Sequence, residues 1–152
     1  MSKSSHTQNK SNSSHNDGSP SWTPDGKSLL FARDSSSIIL KADGEETALI
    51  DDTSGWNTAP SLSPDSKQLV FMSNRDGNPE IYLRTLPGGK VLRLTEDPSY
   101  DTLPRFSPDA KRIVFLSDRQ DHTNRLYTMN PDGSQVQVLT PRENVSQGLW
   151  LP

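Results

Sequence analysis

The sequence contains no cysteine, no long apolar run and no excess of positive charge. The absence of cysteine excludes disulfide frameworks, thiolate metal sites and cysteine nucleophiles. A balance of 16 basic against 19 acidic residues argues against nucleic acid as a partner, since domains that bind it usually carry a basic surface. No run approaches the roughly 18 apolar residues that a membrane-spanning helix needs, so we expect no membrane insertion.

The first 18 residues are rich in Ser, Asn and His and contain a single apolar residue, Met1. Such a segment cannot bury enough apolar surface to offset the entropy lost on ordering. It also lacks the apolar stretch of a signal peptide. We therefore predict a disordered tail at residues 1–18 and a folded region at residues 19–152.

An internal repeat organises the folded region. The string Pro-x-x-x-Pro-Asp-x-Lys occurs three times, and its second proline falls at Pro24, Pro64 and Pro108, so the period is 40 and then 44 residues. Each unit carries four short β-prone runs separated by Pro, Gly and Asp, which is typical of four strands joined by hairpins. Four strands in about 40 residues indicate a propeller blade.

The predicted fold class is therefore all-β. We expect a β-propeller of three four-stranded blades with a partial fourth. The approximate blade boundaries are 19–58, 59–102 and 103–144, with the start of a fourth blade at 145–152.

The turn after each Pro-Asp pair has a specific chemistry. Gly26 occupies the position that a bulged hairpin turn places in the left-handed conformation, which glycine adopts without a steric penalty. The second and third copies have Ser66 and Ala110 there. A non-glycine residue in that conformation costs roughly 1 kcal/mol or more. The sequence therefore predicts mild backbone strain at Ser66 and Ala110.

Two sets of aromatic residues hold fixed repeat positions and predict packing between blades. They are Trp22, Phe106 and Trp150, and Phe31, Phe71 and Phe115.

Trp56 and Tyr100 instead lie in segments that lead from the last strand of one unit to the first strand of the next. In a propeller this segment shares one face of the disc with the loop between the second and third strands, and loop aromatics beside arginine are common anchors at protein interfaces. We therefore predict a partner-binding face that comprises Trp56, Arg75, Asp76, Tyr100, Asp101, Arg119, Asp121 and His122.

The repeat resembles the WD40-like repeat of the TolB family. The shared features are the Pro-x-aromatic-Ser-Pro-Asp string, an apolar strand that ends in Phe, an Ile-Tyr strand and a closing Leu-Thr pair. The resemblance implies a six-bladed, non-catalytic, periplasmic propeller that binds protein partners of the bacterial cell envelope. Similar blades form the gating propellers of prolyl-oligopeptidase-like and tricorn-like peptidases.

Three blades fall short of a closed ring, because propellers ordinarily close with about four to eight blades. Either the chain is part of a longer propeller, or a second copy completes a symmetric six-bladed ring. A collapsed monomeric wedge is a third arrangement. The location stays open as well: the resemblance implies the periplasm, whereas a native N-terminus without a signal peptide implies the cytoplasm.

Motifs for catalysis are absent from the sequence. There is no Gly-x-Ser-x-Gly string, no phosphate-binding glycine loop and no dinucleotide fingerprint. We expect no catalytic residue, no metal site and no cofactor. The predicted function is a non-enzymatic scaffold for protein–protein interaction. Two alternatives are a gating propeller that belongs to a peptidase and a propeller that binds a small molecule or an ion.

Overall fold

The computed structural model describes residues 15–142 and 144–145. These residues form twelve strands and no helix, so the described part of the chain has no helix that could cross a membrane. The first blade comprises β1 (Asp17–Trp22), β2 (Leu29–Arg33), β3 (Ser37–Ala42) and β4 (Glu45–Asp51). The second comprises β5 (Asn57–Leu62), β6 (Gln68–Ser73), β7 (Glu80–Thr85) and β8 (Val91–Arg93). The third comprises β9 (Asp101–Phe106), β10 (Ile113–Ser117), β11 (Arg125–Met129) and β12 (Gln137–Val138).

Each blade is a four-stranded antiparallel sheet whose strands follow one another in chain order, which confirms the predicted architecture. The first strands of consecutive blades contact each other, since β1 contacts β5 and β5 contacts β9. Among the described residues, the fourth strands make no comparable contact with one another. The first strands therefore lie at the narrow inner edge of the arc, and the fourth strands lie at its outer edge.

Two apolar cores join the three blades. Leu30, Ile38 and Ile50 of the first blade pack against Phe71 and Tyr82 of the second. The other face of the second blade packs against the third, through a cluster that comprises Val70, Ile81, Leu83, Phe106, Ile113, Phe115, Tyr127 and Met129. Alternate residues of β6 and β7 thus point into different cores, as the period of two in a strand requires.

Trp22 departs from the predicted packing between blades. Its repeat counterparts Leu62 and Phe106 are 8% and 7% exposed and lie in the two cores, whereas Trp22 is 69% exposed. The reason is its position on the first blade, because Leu62 and Phe106 pack against the preceding blade and the described residues provide no blade before β1. Phe71 and Phe115 lie in the two cores as predicted, whereas Phe31 is buried but belongs to neither core, and Trp150 lies outside the described residues.

The first strand of each blade begins earlier than the repeat boundaries at 19, 59 and 103 predict. β1 starts at Asp17, which pairs with Arg33 of β2, so residues 17–18 belong to a sheet and not to a tail. The cause is a bulge inside each first strand, at Ser19, Ala59 and Leu103, where φ is about +50° directly before the first proline of the repeat string. Residues 1–14 and 146–152 lie outside the described residues.

The Pro-Asp turns have the predicted backbone conformation. Gly26, Ser66 and Ala110 have φ values of +69°, +58° and +59°, so the two non-glycine residues are left-handed. The Ala110 N–H donates to the Ser107 carbonyl at 2.9 Å, and the same bond recurs in the other two turns. The repeat therefore imposes a single turn geometry irrespective of the residue at this position.

Candidate partner-binding face

Five connections lie at the same end of the sheets, because alternate turns of an antiparallel meander share an end. They are residues 34–36, 52–56, 74–79, 94–100 and 118–124. Direct hydrogen bonds link them: the Asn78 side-chain amide donates to the Asp97 carbonyl at 2.7 Å and also to that of Ser99. We call the surface formed by these five connections the loop face. It contains seven of the eight predicted partner-binding residues, and Asp101 borders it as the first residue of β9.

A side-chain cap recurs at the inner edge of the loop face. The Asn74 amide oxygen accepts the Trp56 N–H at 2.6 Å, and an Asp118 carboxylate oxygen accepts the Tyr100 N–H at 2.8 Å. Asp34 accepts the Asn16 N–H in the first blade at 2.9 Å. The caps fix the backbone from which the Trp56 and Tyr100 side chains project, and those side chains are 62% and 58% exposed. Two large aromatic residues therefore stand at equivalent positions on neighbouring blades.

Arg119 is directed into the protein. Its guanidinium group donates to the Asp101 carboxylate at 2.7 Å and to the Ser117 hydroxyl at 2.9 Å. It also lies 4.9 Å from the centre of the Tyr127 ring and 5.5 Å from that of Phe115, which are cation–π distances. Since Asp101 is fully buried, this ion pair neutralises a carboxylate that water does not reach.

Arg75 holds the same position in the second blade. It donates to the Ser73 hydroxyl at 3.0 Å, to the Asn57 side-chain oxygen at 2.7 Å and to Asp52 at 3.0 Å. Its guanidinium group lies 5.0 Å from the centre of the Tyr82 ring. With only 12% of its side chain exposed, Arg75 presents little charge to a partner.

The acidic residues of the predicted set also have internal partners. Asp76 accepts a 2.6 Å hydrogen bond from the Tyr82 hydroxyl, and Asp121 binds Arg125 through both carboxylate oxygens. The hydrogen bond from Arg125 holds the pKa of Asp121 below its usual range. Burial raises the pKa of Asp101, against the opposing effect of hydrogen bonds from Ser117 and Arg119. These contacts support the loops, yet the Asp121 side chain is still 65% exposed, so it is open to a partner together with Trp56 and Tyr100.

His122 lies beside Tyr100 in an open cleft of about 390 Å³, whose other lining residues are Pro98, Ser99 and Asp118. A tight turn carries His122, because the Thr123 N–H donates to the Gln120 carbonyl and both central residues, Asp121 and His122, have positive φ. Of the eight predicted residues, Tyr100 and His122 are thus brought together in one cleft, while Trp56 stands on the neighbouring blade.

Three residues that build this face lie outside the predicted set: Asn57, Asn74 and Asp118. Asn57 is fully buried, and its amide donates to the carbonyls of Ser36 and Asp52, so it ties the first blade to the second. The available signal was the repeated Ser-Asn/Asp-Arg string at 73–75 and 117–119, in which the middle residue forms the cap and the arginine stacks on the core. Among the described residues, no cluster of three or more His, Cys, Asp or Glu side chains could hold a metal ion.

Comparisons with known proteins agree with this geometry. The sequence model of the TolB beta propeller domain matches residues 19–152. A TolB homolog of Chlorobium luteolum is 32% identical over 75 residues, which are 47% of this chain and 17% of that protein. The crystal structure of TolB from Acinetobacter baumannii has a TM-score of 0.75 and 30% identity, and it matches over 88% of this chain and 34% of its own.

A putative TolB from Agrobacterium tumefaciens has a TM-score of 0.68 and 31% identity, over 77% of this chain and 46% of that one. The chain therefore spans less than half the length of these three relatives. The tricorn protease is also similar, with a TM-score of 0.60, but at 19% identity the likeness shows the fold alone. The blades, their turns and the matched family together establish that this chain belongs to the TolB β-propeller domain family.

Proposed function

We propose that the chain is a non-enzymatic propeller unit that binds protein partners through its loop face. The observation that carries the proposal is the pair Trp56 and Tyr100, two aromatic side chains more than half exposed and fixed by the same backbone cap on neighbouring blades. Trp and Tyr are enriched among residues that dominate binding energy, because a rigid ring buries a large area at a small entropic cost.

The arginines contribute indirectly under this proposal. Arg75 and Arg119 hold the loops on the blade cores, so a partner would contact the aromatic rings and the cleft beside Tyr100 in preference to the guanidinium groups. Rigid loops favour binding, since less conformational freedom is lost when the partner docks.

The cleft also carries the argument for a non-enzymatic role. Ser99, Asp118 and His122 line it together, and these are the residue types of a hydrolytic triad. A serine nucleophile requires a hydrogen bond to the histidine, and the histidine requires one to the acid. Within the described part of the chain, Asp118 instead caps the Tyr100 N–H, and His122 makes neither of these bonds. We expect no labelling of the purified protein by a fluorophosphonate probe.

Photo-crosslinking tests the binding proposal. A photoreactive phenylalanine analogue at Trp56 is expected to capture a specific protein, which is then purified and titrated against the chain. The double substitution Trp56→Ala and Tyr100→Ala should weaken this binding at least about tenfold, as loss of two interface anchors does.

The matched control is Trp22→Ala, which removes a similarly exposed tryptophan at the end of β1 that lies away from the loop face. This substitution should leave binding unchanged. Equal loss of binding in both variants, or labelling at the Trp22 site alone, would place the interface elsewhere and refute the proposal.

A further inference from the structure

The two ends of the blades differ in charge. The loop face carries seven acidic side chains and two basic ones: Asp34, Asp52, Asp76, Glu96, Asp97, Asp118 and Asp121, and Arg75 and Arg119. The turns at the opposite end carry five of each sign: Asp25, Asp43, Asp65, Asp109 and Asp132, and Lys27, Lys67, Lys90, Lys111 and Arg112. The connections at the end that presents Trp56 and Tyr100 thus carry a formal excess of five negative charges, one of which, that of Asp121, is paired with Arg125 at the start of β11.

The positive charges of the loop face do not offset this excess at its surface. Arg75 and Arg119 are 12% and 19% exposed, and each guanidinium group is stacked on two aromatic rings. Arg119 is further neutralised by Asp101, which lies beneath the face. What a partner meets is therefore acidic side chains such as Glu96, which is exposed, and the rings of Trp56 and Tyr100.

Exposed aromatic rings next to carboxylates attract cations in two ways. The face of a Trp or Tyr ring binds an ammonium or guanidinium group by a cation–π interaction. The surrounding negative potential steers a basic partner to the surface and accelerates association at low salt. The cleft beside Tyr100 adds Asp118 to this arrangement and is large enough to receive a side chain.

From this juxtaposition we infer that the partner of the loop face presents a lysine- or arginine-rich extended segment, which lies across Trp56 and Tyr100 with its cations over the rings. The inference rests on the proposed function and adds the chemistry of the partner. An acidic protein segment and an anionic membrane are disfavoured by the same charge distribution.

Fluorescence anisotropy with three labelled decapeptides tests the inference. The probes alternate alanine with lysine, glutamine or glutamate. The lysine probe is expected to bind, and its Kd should rise several-fold between 50 and 200 mM NaCl, on the order expected when exposed charges are screened. Substitution of Trp56 and Tyr100 by alanine should weaken binding by about fivefold or more, since each exposed cation–π contact is worth roughly two- to fivefold in affinity.

Charge and position are separated by matched variants. Glu96→Gln on the loop face should raise the Kd of the lysine probe by about twofold, within the range measured for exposed ion pairs. Asp43→Asn and Trp22→Ala, which lie at the opposite end, should have no effect. The inference is overturned if the lysine probe does not bind at millimolar concentration, or if the glutamine or glutamate probe binds equally well. It is also overturned if the control variants weaken binding of the lysine probe as much as the loop-face variants do. A captured protein that depends on Trp56 but binds through an acidic or neutral segment would leave the proposed function standing and refute only the basic partner.

Discussion

Replacement of Ala110 by glycine is expected to stabilise the protein. Ala110 has a φ of +59°, in the left-handed region, where an L-residue with a Cβ atom costs about 1–2 kcal/mol. Glycine removes that cost but gives the unfolded chain extra freedom, which offsets about 0.4–1 kcal/mol. The net gain of about 0.5–1 kcal/mol should raise the thermal unfolding midpoint by roughly 1–4 °C for a domain of this size.

The first blade supplies the reverse substitution in the same turn. Gly26 has a φ of +69°, and a Cβ atom at that position would meet no atom within 4 Å, so Gly26→Ala adds conformational strain without a clash. Its midpoint, followed by far-UV circular dichroism, should fall by an amount similar to the gain from Ala110→Gly. An unchanged or lower midpoint for Ala110→Gly would mean that left-handed strain does not limit stability at this turn.

Three further outcomes follow from the described contacts. Arg119→Gln should lower the free energy of unfolding, measured with urea, by about 3 kcal/mol, because it leaves the carboxylate of fully buried Asp101 unpaired. Arg75→Gln should lower it by only about 1 kcal/mol. Equal losses in the two variants would contradict the role of burial. Hydrogen bonds from serine hydroxyls lower the pKa of Asp65 and Asp109, so their stabilising effect is present above the unfolded-state pKa of about 4 and is lost as the pH falls through the lowered folded-state values. In the variant with asparagine at both positions, the free energy of unfolding should decline less steeply as the pH falls. A decline as steep as that of the unsubstituted protein would refute this assignment. If a second copy completes the ring, light scattering should give twice the 16.8 kDa of one chain, and a strict, well-folded monomer would eliminate that arrangement.

The fold was predictable because its determinants are local and repeated. Pro-Asp turns, apolar runs of strand length and a period near 40 residues each indicate the blade independently, and the left-handed backbone at Ser66 and Ala110 was inferred from the position of Gly26 alone. The residue at which the first strand of each blade begins was harder to predict from the sequence. The bulges at Ala59 and Leu103 extend the first strands past the residues that the hydrophobic pattern marks, and a bulge depends on pairing with the neighbouring strand.

The candidate site was predictable only in part. Loop position correctly grouped Trp56, Tyr100 and His122 at one end of the blades, because the meander alternates its turns. The direction of Arg75 and Arg119 was not predictable from loop position, since it depends on aromatic rings of two adjacent strands that meet only in the folded sheet. Exposure of Trp22 likewise depends on which blades have neighbours, which the repeat pattern does not encode.

The packing of each blade only against the next one has a consequence for how the molecule opens. The middle sheet contributes to both cores, while the first and third sheets contribute to one core each. In such a linear array, protection against hydrogen exchange is a sum over nearest neighbours. The amides of β6 and β7 should therefore exchange last, and the terminal sheets should fray individually while the central one persists.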